Sequence, residues 1–164
     1  FEIETSKAIG IQLIRHRSFS FQEFSQRYQD VNHMGDMFEP IELRAQCEDN
    51  RQSSTEVIDP KFDIMGVVSY PASEAIEKHF ESCQTLYTRL LDAGVAREQA
   101  RMVLPLATKT KIHMTGSIRS WIHFLELRDD EHAQKEIQLV AKEIKWHFAN
   151  QFPIISKALG YETT

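Results

Sequence analysis

Arg15, His16 and Arg17 stand side by side, and Ser20, Glu23, Ser25, Arg27 and Tyr28 follow closely behind them. Guanidinium groups are planar forks that match phosphate oxygens two at a time, and hydroxyl and carboxylate groups beside them can complete a cradle for a phosphorylated ligand. A plainer reading fits the same residues. Positive charge satisfies the carbonyl end of a helix dipole, and Ser20-Phe21-Gln22-Glu23 has the Ser-x-x-Glu form of a capping box opening a short helical turn. Spacing alone leaves both readings open.

Nucleophilic and metal chemistry find less support. Cys47 and Cys83 are the only cysteines and have no metal-type spacing, which points to free thiols in a reducing compartment, the cytoplasm. Cys83 falls on the apolar face of a helical pattern, where thiols are inert. Cys47 precedes Glu48 and Asp49, which raise a thiol pKa. Ser25 has no histidine at a fixed partner spacing. His113, His123 and His132 lie near Glu126, Asp129, Asp130 and Glu136, yet no HExxH or Cys/His pattern links them, so no metal is expected. His132 and Glu136 read as a surface pair one helical turn apart, and Arg119 and His123 as another exposed pair. Trp121 and Trp146 read as core or subunit interface.

A chain of 164 residues, 41% hydrophobic and 26% charged, suits one soluble domain with a real core. A net charge of -5 argues against nucleic acid or an anionic membrane as partner, so any phosphate site must be a local cluster. A rival reading, a non-catalytic nucleotide- or RNA-binding module using the same arginines, would need a broad basic face and exposed aromatics. No secretory signal is visible. The longest apolar run, Ile64-Met65-Gly66-Val67-Val68, is far shorter than the roughly 20 residues of a membrane helix.

The run from Arg15 to Tyr28 resembles the signature of the flavin-dependent thymidylate synthases: R-H-R, two variable residues, then S-x-N-E-x-S-x-R-Y. Gln22 in place of Asn is its one departure. Further along, Ala100-Arg101-Met102-Val103-Leu104-Pro105 resembles the family's A-R-x-x-L-P segment. Arg119-Ser120-Trp121-Ile122-His123-Phe124, Leu127-Arg128 and Glu131-His132-Ala133-Gln134-Lys135-Glu136-Ile137 resemble its C-terminal core. The resemblance implies methylation of dUMP to dTMP, with FAD as cofactor and NADPH and methylenetetrahydrofolate as co-substrates. It assigns Arg15, His16, Arg17, Glu23, Ser117, Ile118, Arg119 and His123 to FAD. To dUMP it assigns Gln12, Arg15, Glu23, Ser25, Gln26 (through its backbone), Arg27, Arg101 and Arg128. Arg128 would sit against the uracil and favour its ionised N3. The family's sites are shared between subunits of a homotetramer, and its flavin site includes a histidine that would precede Phe1.

These residues need elements to position them. Residues 1–6 alternate apolar and polar as a strand, and because natural chains rarely open on a strand, a further N-terminal piece is expected. Ser6 caps a helix over residues 7–17 with Ile9, Leu13 and Ile14 inward, weakened by Gly10. Residues 37–46 read as a strand with Pro40 at an edge, and residues 47–60 as a polar, mobile loop. Ser73 caps a long helix carrying Ile76, Phe80, Cys83, Tyr87, Leu90 and Leu91 on one face, ended by Gly94. A short helix over residues 96–104 stops at Pro105. Residues 108–115 alternate, with Thr110, Ile112 and Met114 on one face. Ser117 starts a helix to about residue 127, and Asp130 caps another over residues 131–152 that buries Ala133, Ile137, Val140, Ile144 and Phe148. The expectation is a single α+β domain, residues 1–164, with a small antiparallel sheet and several helices.

Overall fold

Alternation sets the first strand, β1 (Glu2–Ser6), which buries Ile3 and Thr5 and exposes Glu2 and Glu4. The computed structural model describes residues 1–51, 53–64 and 68–161. Ser6 ends β1 and caps α1 (Lys7–Leu13), its Oγ accepting the Ile9 N–H at 3.4 Å. The helix is shorter than expected. Ile14 is its C-cap and is 44% exposed rather than inward, so Arg15, His16 and Arg17 occupy the turn beyond the helix. The strand β2 (Phe19–Glu23) replaces the expected capping-box turn. Phe19 and Phe21 pack on the core, and sheet pairing satisfies the backbone groups that a helical turn would have used.

Asp30 then opens a 3-10 turn, Val31–Met34, by accepting the Asn32 N–H at 3.0 Å. The strand expected over residues 37–46 is interrupted at Pro40, which has no N–H to donate. Phe38 makes a single bridge to Thr108, and only β3 (Arg44–Gln46) is a strand. Its partner β4 (Ser54–Val57) lies inside the stretch expected to be a loop, and all four of its residues are exposed. A second hairpin, β5 (Lys61–Ile64) with β6 (Val68–Pro71), was not foreseen. Residues 52 and 65–67 lie outside the described residues, and with them most of the apolar run from Ile64 to Val68.

The long helix α2 (Ala72–Asp92) starts one residue before Ser73, with Pro71 in the cap position. Asp59 does what Ser73 was expected to do, accepting the Ser73 N–H at 2.9 Å and its hydroxyl at 2.6 Å. Cys83 and Tyr87 are buried as expected, and Gly94 takes the positive φ of 82° just beyond the helix end. The helix expected over residues 96–104 is a single turn, α3 (Arg97–Ala100), followed by a 3-10 turn, Arg101–Val103.

The strand β7 (Lys109–Gly116) buries Thr110, Ile112 and Met114, the face its alternation predicted. Ser117 caps α4 (Ile118–Arg128), accepting the Ser120 N–H at 3.2 Å. Asp130 caps only a turn, through the His132 N–H at 2.8 Å, so the next helix, α5 (Lys135–Gln151), starts later than expected. It buries Ile137, Ala141, Ile144, Phe148 and Ala149, while Ala133 and Val140 pack only partly against the core. A last helix, α6 (Pro153–Leu159), was not foreseen.

Strand β7 is the centre of the main sheet, with β1 and β2 antiparallel on either side, Ile3 facing Ile112 and Phe21 facing Met114. Helices α1, α4 and α5 close the core over these strands. The small antiparallel sheets and segregated helices are the expected α+β class. One contact is unusually tight. A Cβ on Gly116 would lie 2.5 Å from Cδ1 of Phe19, whose ring meets Trp121 edge to face at 4.6 Å. Gly116→Ala is therefore expected to destabilise the protein by about 1–3 kcal/mol through displacement of that ring. Urea unfolding measures it, and an unchanged midpoint would show that Phe19 can move without loss.

Candidate functional site

The short α1 decides where the cations go. Gly10 lets that helix lie directly on the sheet: a Cβ there would be 3.0 Å from Cδ1 of Ile112 and 3.2 Å from Cγ2 of Thr110. What counted in the sequence as a helix weakness is a close packing requirement. Beneath the helix, Oε1 of Glu23 accepts from Lys7 Nζ at 2.7 Å and from Thr110 Oγ1 at 2.9 Å. Its other oxygen has no protein partner among the described residues, so Glu23 can still accept from a ligand.

Past the helix end, Arg15 and Arg17 are exposed and have no acidic partner among the described residues. His16 turns the other way. Its ring stands edge to face on Phe124 at 5.0 Å, and its Nε2 accepts from Nε of Arg128, in the last turn of α4, at 3.0 Å. Burial first, then the Arg128 guanidinium and His123, pull the His16 imidazole down from 6.5 to about 4. The ring is thus neutral at physiological pH, with Nε2 the acceptor and its proton on Nδ1. Burial also lowers the Arg128 pKa, but a guanidinium remains charged. With Nε committed to His16, its two terminal nitrogens have no protein partner among the described residues.

The beginning of α4 joins the same region. Ser120 donates from Oγ to the Ser18 carbonyl at 3.3 Å, tying the cap of α4 to the turn that holds Arg17. Ser117, Ile118, Arg119 and His123 are all exposed there, and among the described residues no hydrogen bond or ring contact joins Arg119 to His123.

Other predicted residues gather elsewhere. Arg27 lies 3.8 Å from Glu98, and Nε of Arg101 donates to the Glu98 carbonyl at 3.3 Å, so both arginines converge on α3. Gln26 lines a cleft of about 260 Å³ with Lys7, Arg101 and Leu106. Its side chain is buried and its Nε2 has no partner among the described residues, a feature the backbone role expected of Gln26 does not explain. Ser25 sits in the turn between them, its carbonyl accepting from Tyr28 and Gln29. Gln12 reaches the residue before α5, donating from Nε2 to Oε1 of Gln134 at 2.6 Å. Among the described residues no hydrogen bond, ion pair or ring contact joins the His16–Arg128 group to the Arg27–Arg101 group.

One expectation changes, the surface pair of His132 and Glu136. Glu136 does not pair with His132; it binds Arg44 and Gln134, while His132 is 4.0 Å from Glu131. Trp121 is core, but Trp146 is 49% exposed. Cys83 is buried against His79, its Sγ 3.5 Å from Nε2, and burial pushes its thiol pKa up, which suits an inert thiol. Sequence reading missed Lys7, Thr110 and Glu98, because the contacts that place them join segments far apart in the chain.

The family model described as thymidylate synthase complementing protein matches residues 1–154. A protein of Paramecium bursaria Chlorella virus 1 named "Probable flavin-dependent thymidylate synthase" is 42% identical over 98% of this chain and 70% of its own length. The flavin-dependent thymidylate synthase of Synechocystis is 39% identical with the same coverage. The chain belongs to the flavin-dependent thymidylate synthase family. Among solved structures, the UMP/dUMP methylase PolB of Streptomyces cacaoi, bound with 5-Br dUMP, superposes with a TM-score of 0.68 at 29% identity. The match covers 91% of this chain and 64% of PolB. The family match includes every residue that the sequence singled out for flavin or nucleotide.

Proposed function

We propose that the chain catalyses the reductive methylation of dUMP to dTMP. In this reading FAD is the redox cofactor, NADPH the reductant and methylenetetrahydrofolate the carbon donor. The observation that carries it is Arg128, anchored through Nε on a neutral histidine, its two terminal nitrogens without a protein partner among the described residues. A guanidinium held that way presents fixed charge to the edge of a flat ring. It lowers the pKa of a ring N–H and favours the ionised N3 of a uracil.

The residues fit a flavin dinucleotide as well. Arg15, Arg17 and Arg119 are exposed cations without protein counter-charge among the described residues, in a chain of net charge -5. Guanidinium groups of this kind match a diphosphate, and the Ser120–Ser18 bond brings the start of α4 to the turn that holds Arg17. When bound, the flavin supplies the hydride chemistry, and the protein binds and orients. His16, Glu23, Ser117, Ile118 and His123 complete that site. Gln12, Arg15, Glu23, Ser25, Gln26, Arg27, Arg101 and Arg128 hold dUMP.

Among the described residues no hydrogen bond, ion pair or ring contact joins Arg128 to Arg27 or Arg101 within one copy, which suits a site completed by other copies, and we assign the assembly as a homotetramer. Met102 and Leu106, 76% and 61% exposed beside Arg101, support the same reading. Partners are then small molecules in the cytoplasm, with no role for nucleic acid or membrane. No helix among the described residues is long and apolar enough to cross a bilayer. Light scattering with a melting series tests the whole reading. The tetramer should gain roughly 5–10 °C in Tm at a hundredfold excess of FAD over its Kd, and more when dUMP is added. A fully active monomer whose melting ignores both ligands would overturn it.

A further inference from the structure

Gln134, Lys135 and Glu136 belong to a motif whose conspicuous polarity has no part in the reaction as described above. The structure gives that polarity a direction. Gln12 donates from Nε2 to Oε1 of Gln134 at 2.6 Å, and Gln134 donates from Nε2 to Oε2 of Glu136 at 2.8 Å. The other Glu136 oxygen accepts from the Arg44 guanidinium. Arg44 is itself held on three sides, since it also donates to Glu42 at 2.8 Å and to Ser54 Oγ at 2.9 Å, and its side chain is only 10% exposed. Lys135 closes the cluster by donating to Glu42 at 2.6 Å.

An ionised carboxylate only accepts hydrogen bonds. Glu136 therefore fixes which end of the Gln134 amide faces it: the NH₂ end. Gln134 must then turn its carbonyl to Gln12, and Gln12 must answer with its own NH₂. One charge sets the direction of two amides in series, and the carbonyl of Gln12 is left for another donor. Burial would raise the Glu136 carboxyl, but hydrogen bonds from Arg44, its own backbone and Gln134 together hold it below the usual carboxylate range. The acceptor stays an acceptor.

We propose that Arg44 and Glu136, acting through Gln134, are positioning residues that orient the Gln12 amide at the dUMP site. This rests on the assignment of Gln12 to dUMP. It also gives the β3–β4 hairpin a task, because Arg44 and Ser54 bring that hairpin to the start of α5.

The test uses the full chain with FAD bound and compares Gln12→Ala, Gln134→Ala, Glu136→Gln and the double variant Gln12→Ala/Gln134→Ala. Gln134 is exposed, so its truncation leaves the core intact, and a melting curve checks this. Calorimetric Kd for dUMP and the separate values of KM and kcat are read. Each single variant should weaken dUMP binding about threefold to tenfold, Gln134→Ala and Glu136→Gln should do so with kcat within about twofold, and the double variant should be no worse than Gln12→Ala alone. A merely structural role would move kcat and Tm with KM, and would add in the double variant. If Gln12→Ala weakens dUMP while Gln134→Ala and Glu136→Gln do not, the relay is wrong and the assignment of Gln12 survives. If Gln12→Ala has no effect on dUMP, that assignment fails and the relay with it.

Discussion

Arg128→Ala is expected to lower dTMP formation at least tenfold, and up to about a hundredfold, while FAD binding stays close to wild type. The guanidinium is placed by its Nε bond to His16 and by the last turn of α4, and its free nitrogens are the groups that would meet the uracil. Losing a charge-assisted contact costs about 1.5–3 kcal/mol, which is the stated range in rate. Arg128→Lys should rescue little, because one ammonium cannot both reach His16 and present a planar fork. Steady-state turnover and flavin absorbance of the purified variants measure the two halves. A folded Arg128→Ala enzyme with more than about a tenth of wild-type turnover would remove Arg128 from the chemistry.

The second large effect is acid sensitivity centred on His16. Its folded pKa of about 4 lies below the ordinary 6.5, so between those values the unfolded chain takes up a proton that the folded chain refuses. Stability therefore rises with pH across that window and is lost as pH falls through it. A proton on Nε2 would also turn the acceptor of Arg128 into a second cation facing it. From about pH 7 to about pH 5, wild type should lose about 1–2 kcal/mol more than His16→Gln, after allowing for solvent screening of a partly exposed ring. Paired urea titrations at the two pH values isolate the term, since the other titrating groups are common to both proteins. Equal losses would mean that the ring protonates freely in the folded state.

Much of this site is legible from residue order, because its parts are local. Ser6 is expected as a cap and Ser117 as a helix start from their own short segments, and both cap. The inward face of β7 follows from alternation alone. What failed was decided at a distance. Ser20 to Glu23 is a sound helix-opening pattern, but partners on β7 draw the segment into a strand. Asp59 took the capping role expected of Ser73 because the chain folds back upon itself there. The Glu136 carboxylate goes to Arg44, 92 residues away, rather than to His132, which lies in the turn before α5 instead of on its face, and a partly buried guanidinium offers a stronger bond than an exposed imidazole. The family resemblance supplied residue roles that periodicity could not. It did not show that His16 and Arg128 touch.

The place of β7 between β1 and β2 bears on how the chain is made. Glu23 meets its sheet-borne partner Thr110 across 87 residues, and among the described residues β7 is the strand with which both β1 and β2 pair. On a ribosome the arginine-rich turn and the two strands flanking it are made before the central strand, their shared partner, is translated. The nucleotide-binding end cannot assemble in the order in which it is read. Nascent chains arrested before residue 109 should therefore expose both strands to proteases and chaperones, whereas chains extended past the end of α5 should become protected in one step.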